Sequence, residues 1–175
     1  MRNYIMSIDA ETNGLYGQAF CIGATLHDTT KDNKVVDKFL ARCPLIGKLD
    51  PFVLDAVLPE LADISQTDKT YPHMLENFAS WYSNITEKID DLAIIGHVIY
   101  PVEVKLFLDC VEYGFLTKGP FPFIDISAFP EIGVSVDSYL ALRNIDVPWR
   151  KSVHNPVYDS IAAATAYYNY MKNRG

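Results

Sequence analysis

Asp9 and Glu11 stand two residues apart at the end of the apolar run that opens the chain. In an extended strand successive side chains alternate between faces, so both carboxylates project from one side, about 7 Å apart along the backbone. Two acids so placed repel each other, and a divalent cation, a shared proton or plain solvation at a strand end relieves the repulsion. The cation is the relief that directs attention to the far end of the chain, where His154-Asn-Pro-Val-Tyr-Asp159 sets a histidine in a loop ahead of a helix and an acid in that helix's first turn. The two can face one pocket. Read by itself, Asp159 is an acid stabilised by the positive end of a helix dipole, worth about 0.3–1 kcal/mol, and His154 is a loop residue.

The elements that must position these groups follow from pattern. Tyr4 to Asp9 reads as a buried strand, Gln18 to His27 as a second, with a glycine-containing turn over residues 12–17 between them. Residues 27–34 form a polar hairpin loop, and Val35 to Ala41 supplies a third strand. Asp50-Pro51 opens a short helix that Pro59 kinks or breaks, and Tyr71-Pro72 opens a longer one. Leu92 to Ile95 is a short buried strand. Val102 to Tyr113 is a helix that Gly114 ends, and Phe121 to Ile126, carrying Pro122, is a fifth strand near an edge. Ser135 to Arg143 is a short helix, and residues 148–153 form an irregular basic loop. Asn155-Pro156 then starts the last helix, with Asn155 as N-cap. Three antiparallel strands followed by alternating helices and strands predict an α/β domain with a mixed central sheet flanked by helices, the ribonuclease H-like order, over residues 1–175 as a single domain.

Composition narrows the function. With 175 residues, 49% apolar, the chain builds a proper core. Its 15 Lys and Arg against 22 Asp and Glu give a net charge of −7, so no basic face grips a long polyanion by phosphate neutralisation alone. Cys21, Cys43 and Cys110 form no Cys-x-x-Cys pair and read as buried residues of a reducing compartment, with neither disulfides nor zinc expected. An acid by position 9 and no long apolar stretch point to a cytoplasmic protein without membrane association.

Asp9-Ala-Glu-Thr-Asn-Gly-Leu15 together with His154-x4-Asp159 resembles the DEDD superfamily of 3'-5' exonucleases, which includes polymerase proofreading subunits, ribonuclease T and oligoribonuclease. The first segment follows that family's Asp-x-Glu-Thr-x-Gly-Leu pattern, and the second follows its histidine-type (DEDDh) third motif. Asn155 stands where the tyrosine subtype has its Tyr. The middle motif departs: relatives place an Asp five residues after a His, but five residues after His97 comes Val102, and Glu103 follows one position later. Glu103 and Asp125 are the replacement candidates, while Asp109, two turns down the helix, is too distant. His97 is a capping or packed loop residue as readily as a substrate contact.

The resemblance implies two Mg2+ or Mn2+ ions held by Asp9, Glu11, Glu103 and Asp159, with His154 as general base, and release of nucleoside 5'-monophosphates from the 3' ends of single-stranded RNA or DNA. Hard carboxylates suit such ions, and a pair of them about 3.5–4 Å apart serves phosphodiester hydrolysis. It further implies that Thr12 lies beside the terminal nucleotide and Leu15 wedges against its base. Tyr100 and Tyr16 are candidates for base stacking, and Arg150 and Lys151 for a phosphate. The segment from Asp50 to Leu61 is similar to an insertion in stand-alone exoribonucleases, which tilts the expected preference to RNA. Many relatives pair, and an apolar, tyrosine-rich last helix would permit a homodimer. The rival reading keeps the fold as a module that binds nucleic-acid ends or a protein, with catalysis lost through Val102. An endonuclease on the same architecture is the remote alternative.

Overall fold

The structure, a computed structural model, describes residues 1–147 and 154–174. Its centre is a five-stranded sheet in the order β3-β2-β1-β4-β5. β1 (Tyr4–Thr12), β2 (Ala19–Asp28) and β3 (Lys34–Arg42) form an antiparallel meander, while β4 (Leu92–Gly96) runs parallel to β1 and β5 (Ile124–Asp125) parallel to β4. The mixed sheet is the one the order of elements predicts.

Two cores lie on its two faces. Met6, Ile8 and Ala10 of β1 join one with α1 (Tyr71–Thr86) and α2 (Val102–Glu112), where Met74, Leu75 and Phe78 are fully buried. Each such side chain contributes about 1.5–3 kcal/mol of transfer free energy. Ile5 joins the other, with α3 (Val136–Leu142) and α4 (Pro156–Lys172). The strand period of two therefore sets Ser7, Asp9 and Glu11 on the α4 side. α4 approaches closely because its buried positions include Ala162, Ala163, Ala164 and Ala166, and because β2 carries Gly23. A Cβ at Gly23 would sit 2.3 Å from the carbonyl carbon of Pro156. The helix start rests directly on the strand.

Several boundaries differ from expectation. The expected second strand and hairpin loop share His27; it belongs to β2, which runs on to Asp28, and it is fully buried. The predicted strand over 121–126 shrinks to two residues: Pro122 offers no ladder donor, and Asp125 caps a 3-10 turn at Ile126–Ala128. The predicted short helix is present over residues 51–57, with Asp50 accepting from the Phe52 amide at its start; it is π-helical at Val53–Val57 and gives way to turns at residues 58–63, across Pro59. The cysteines are free and buried, and Tyr167, Tyr168 and Tyr170 of α4 are buried within the chain itself. No helix among the described residues is long and apolar enough to cross a membrane.

Candidate active site

Because β1, β4 and β5 run parallel, their carboxyl ends share one rim of the sheet, where open α/β sheets place their ligands. Asp9 and Glu11 reach this rim from β1, and Asp159 meets them from the first turn of α4. One carboxylate oxygen from each of the three lies within 4.8 Å of the others. The local sequence explains the third. Asn155 Oδ1 accepts hydrogen bonds from the amides of Val157 and Tyr158, and Pro156 has its ring at the first helical position, so the helix begins at a defined residue and sets Asp159 in its first turn. His154, just outside the cap, has a left-handed backbone with φ 68°, and its Nδ1 lies 3.8 Å from Glu11 Oε1. The Phe52 ring and the His154 imidazole pack nearly perpendicular to each other at a centroid separation of 5.7 Å.

The two buried glutamates of the site are shifted in the same direction. Burial, and then the negative charge of Asp159, push the Glu11 carboxyl up to about 8. Glu103 is buried at the start of α2, and its Oε1 accepts from the Ala10 amide at 3.1 Å, on the stretch of β1 between Asp9 and Glu11. The β1–β4 ladder has ended at Ser7, so Glu103 takes over as a partner for the strand. Burial pushes its carboxyl up to about 8, against the pull of its backbone hydrogen bonds and with a further push from Glu11 and Asp125. An all-oxygen donor set whose charges raise one another's proton affinity is what a hard divalent cation would satisfy.

The other predicted residues are distributed as follows. Asp125 lies at the same rim, but its Oδ1 accepts from the Val98 amide and from the amide and hydroxyl of Ser127. Burial raises its carboxyl, and these donors outweigh burial and hold it below the ordinary value. Asp109 is bound by Tyr71 and Lys105 on α1 and α2, away from the cluster. His97 donates from Nε2 to the Gly133 carbonyl at 3.0 Å, which ties two loops together. Thr12 ends β1; Leu15 and Tyr16, in the turn beyond it, and Tyr100, in the loop before α2, are exposed. Arg150 and Lys151 lie outside the described residues.

Sequence reasoning missed three contributors. Gly23 appears only as one member of an alternating strand, although a glycine inside a strand pattern is itself a sign of close backbone approach. Phe52 is absorbed into a helix face. Asp137, in the first turn of α3, lines with Asp9, His97, His154 and Asp159 a cavity of about 250 Å3. Its signal is an acid two residues after the Ser135 cap.

No protein-family model matches the chain, and no curated protein does. Solved structures do. The chain is similar to the nuclease domain of 3'hExo, a DEDDh family member, bound to rAMP, with 17% identity and a TM-score of 0.72 over 98% of this chain and 93% of that one. It is similar also to a 3'-exonuclease in 3'-end specific recognition of a histone mRNA stem-loop (17%, TM-score 0.70, 98% and 83% covered). Exonuclease X in complex with 5' overhanging duplex DNA is a third (17%, TM-score 0.63, 97% and 92%). The mixed sheet with its flanking helices is thus the ribonuclease H-like fold of DEDDh-family 3' exonuclease domains.

Proposed function

We propose that the chain is a metal-dependent 3'-5' exonuclease of the histidine type, acting on single-stranded 3' ends and releasing nucleoside 5'-monophosphates, with RNA slightly favoured over DNA. The observation that carries this reading is the convergence of Asp9, Glu11 and Asp159, from opposite ends of the sequence, within 4.8 Å of one another and beside His154. The neighbours' fold, and their printed association with rAMP, stem-loop RNA and overhanging DNA, support a nucleic-acid end as the substrate.

Asp9, Glu11 and Asp159 would hold two Mg2+ or Mn2+ ions, with Glu103 the fourth acid. Bound there, the ions would supply a nucleophile near neutral pH and a sink for the charge of the leaving 3'-oxygen. His154, in its neutral form, accepts the proton of the attacking water. Phe52 limits the swing of that imidazole, and the His154 backbone, held left-handed next to the Asn155 cap, aims it across Glu11. A cavity of about 250 Å3, just below the roughly 300–1,000 Å3 of ligand pockets, suits a terminal nucleotide better than a duplex. Thr12 and Leu15 would grip that nucleotide, and Tyr100 could stack beneath the next base. The RNA preference rests on the segment from Asp50 to Leu61, which brings Phe52 to the site.

End-labelled single-stranded RNA and DNA, incubated with the protein and Mn2+, should shorten stepwise from the 3' end. Asp9→Ala and His154→Ala should each abolish the ladder, and a ladder indifferent to both would reject the reading. One observation favours the second reading, a binding module with lost catalysis: Val102 replaces an acid, and Glu103 Oε1 already serves the Ala10 amide. Calorimetry separates them, since the enzyme takes up two Mn2+ in the presence of nucleotide and the module at most one.

A further inference from the structure

Beneath the carboxylates, the contact between β2 and α4 holds a chain of polar groups that the proposed chemistry does not use. Thr25, His27 and Ser160 are all fully buried. His27 Nδ1 lies 3.1 Å from the Asn33 carbonyl, which only accepts, so Nδ1 carries the hydrogen. Nε2 of the neutral ring is then an acceptor, and the Thr25 hydroxyl at 2.9 Å donates to it. With that proton spent, Thr25 Oγ1 accepts from the Ser160 hydroxyl at 3.1 Å, whose hydrogen is shared with the Val157 carbonyl at 2.8 Å. One carbonyl at the β2–β3 turn therefore sets the direction of every donor up to the helix. Burial keeps the ring neutral, lowering its pKa to about 4 against the upward pull of the Asn33 bond.

The chain ends next to the site. Ser160 follows Asp159, and Thr25 stands two residues from Gly23, on which Pro156 and Val157 rest. We infer that Thr25 and Ser160, oriented by His27, are positioning residues that fix the register of the first turn of α4 on β2, and so the place of the Asp159 carboxylate opposite Asp9 and Glu11. Packing alone does not do this. Tyr167, Tyr168 and Tyr170 anchor the far end of α4, but at its first turns Gly23 offers no knob and Ala162, Ala163 and Ala164 give a smooth face, so apolar contact there sets closeness more than register. A directional hydroxyl pair sets that register.

The inference rests on the reading of the carboxylates as a metal site, and its test separates the two. Mn2+ alone is titrated calorimetrically into the full chain and its Thr25→Val, Ser160→Ala, Thr25→Ser and Ser160→Thr variants, with kcat and KM on a single-stranded oligonucleotide and thermal melts alongside. Thr25→Val keeps the shape and removes the hydroxyl. It and Ser160→Ala should weaken Mn2+ binding about 10- to 100-fold, as loss of groups that orient ligands does, and lower kcat more than they raise KM. The hydroxyl-retaining pair should restore both, and Thr25→Val/Ser160→Ala should lose no more than the worse single variant. Folded Thr25→Val with wild-type Mn2+ affinity, or losses that multiply in the double variant, overturn the positioning role alone. A wild-type chain that takes up no Mn2+ overturns the proposed function and the positioning role together.

Discussion

Buried acids occur in two kinds of place in this molecule, and the contrast separates structure from function. Asp68 accepts from Thr67 Oγ1, Asn77 Nδ2 and His73 Nδ1 at 2.6–2.7 Å, and Asp109 from Tyr71 and Lys105. Those carboxylates are surrounded by donors and hold the first turn of α1 to the preceding loop and to α2. At the carboxyl end of β1 the fold gathers acids around one another, and Glu11 has His154 at 3.8 Å. Burial by itself therefore says little about a carboxylate's role. What marks the second place is the convergence of three carboxylates on one spot, where burial and like charge raise Glu11.

The sharpest break between the two places is expected from alanine. Asp9→Ala should lower exonuclease activity by about 10³-fold or more, since several kcal/mol of transition-state stabilisation are at stake. Calorimetry with Mn2+ on both proteins checks the cause, since Asp9→Ala should also weaken metal uptake, and a variant with wild-type Mn2+ affinity would separate Asp9 from the proposed metal site.

Acid and base should act on stability in opposite directions. Folded Glu11 keeps its proton up to about 8 whereas the unfolded chain releases it near 4.5, so metal-free stability falls as pH rises through that window. Saturating Mn2+ should flatten this fall. His27 shows the reverse: the unfolded ring protonates near 6.5 and the folded ring near 4, so its contribution, about 3 kcal/mol, is present above 6.5 and is lost as pH falls toward 4. Stability measured from pH 4 to 8 with and without Mn2+ resolves the two limbs. A high-pH limb unaffected by Mn2+ would break the link between the acids and a cation. At the satisfied acid, Asp68→Ala should cost about 1–3 kcal/mol of stability by orphaning its donors, with activity per folded molecule unchanged.

Much of this was legible in the residues, for reasons that are local. An i, i+2 acid pair closing an apolar run marks one face of β1, and Asn155-Pro156 marks a helix start whose first turn must carry Asp159. Where pairing is tertiary, the text of the chain misleads. His27 reads as the boundary between strand and loop, with no sign of its partners: Asn33 across the turn, and Thr25 two residues back, which Ser160 on α4 completes. Phe121 to Ile126 reads as strand, yet only two residues pair. Phe52 shows its role only when the loop after β3 folds back over His154.

Glu103 is where the comparison is hardest to draw, because it belongs to both kinds. It is buried, like Asp68, and serves a donor of the chain, the Ala10 amide, yet Glu11 and Asp125 press on it, as on a member of the cluster. Glu103→Gln divides the two roles. The amide oxygen of glutamine still accepts from Ala10, so the strand keeps its partner, while the charge that would attract a cation is gone. If Glu103 is the fourth acid, Glu103→Gln should melt no lower than the wild type and bind the second Mn2+ about tenfold more weakly, with a similar loss in kcat. If it is a strand cap, Glu103→Gln is silent in calorimetry and kinetics, and the binding-module reading gains. Glu103→Asp sharpens the answer, because a side chain one methylene shorter gives up the Ala10 amide before it gives up its charge, so a capping role predicts lost stability at unaltered Mn2+ affinity.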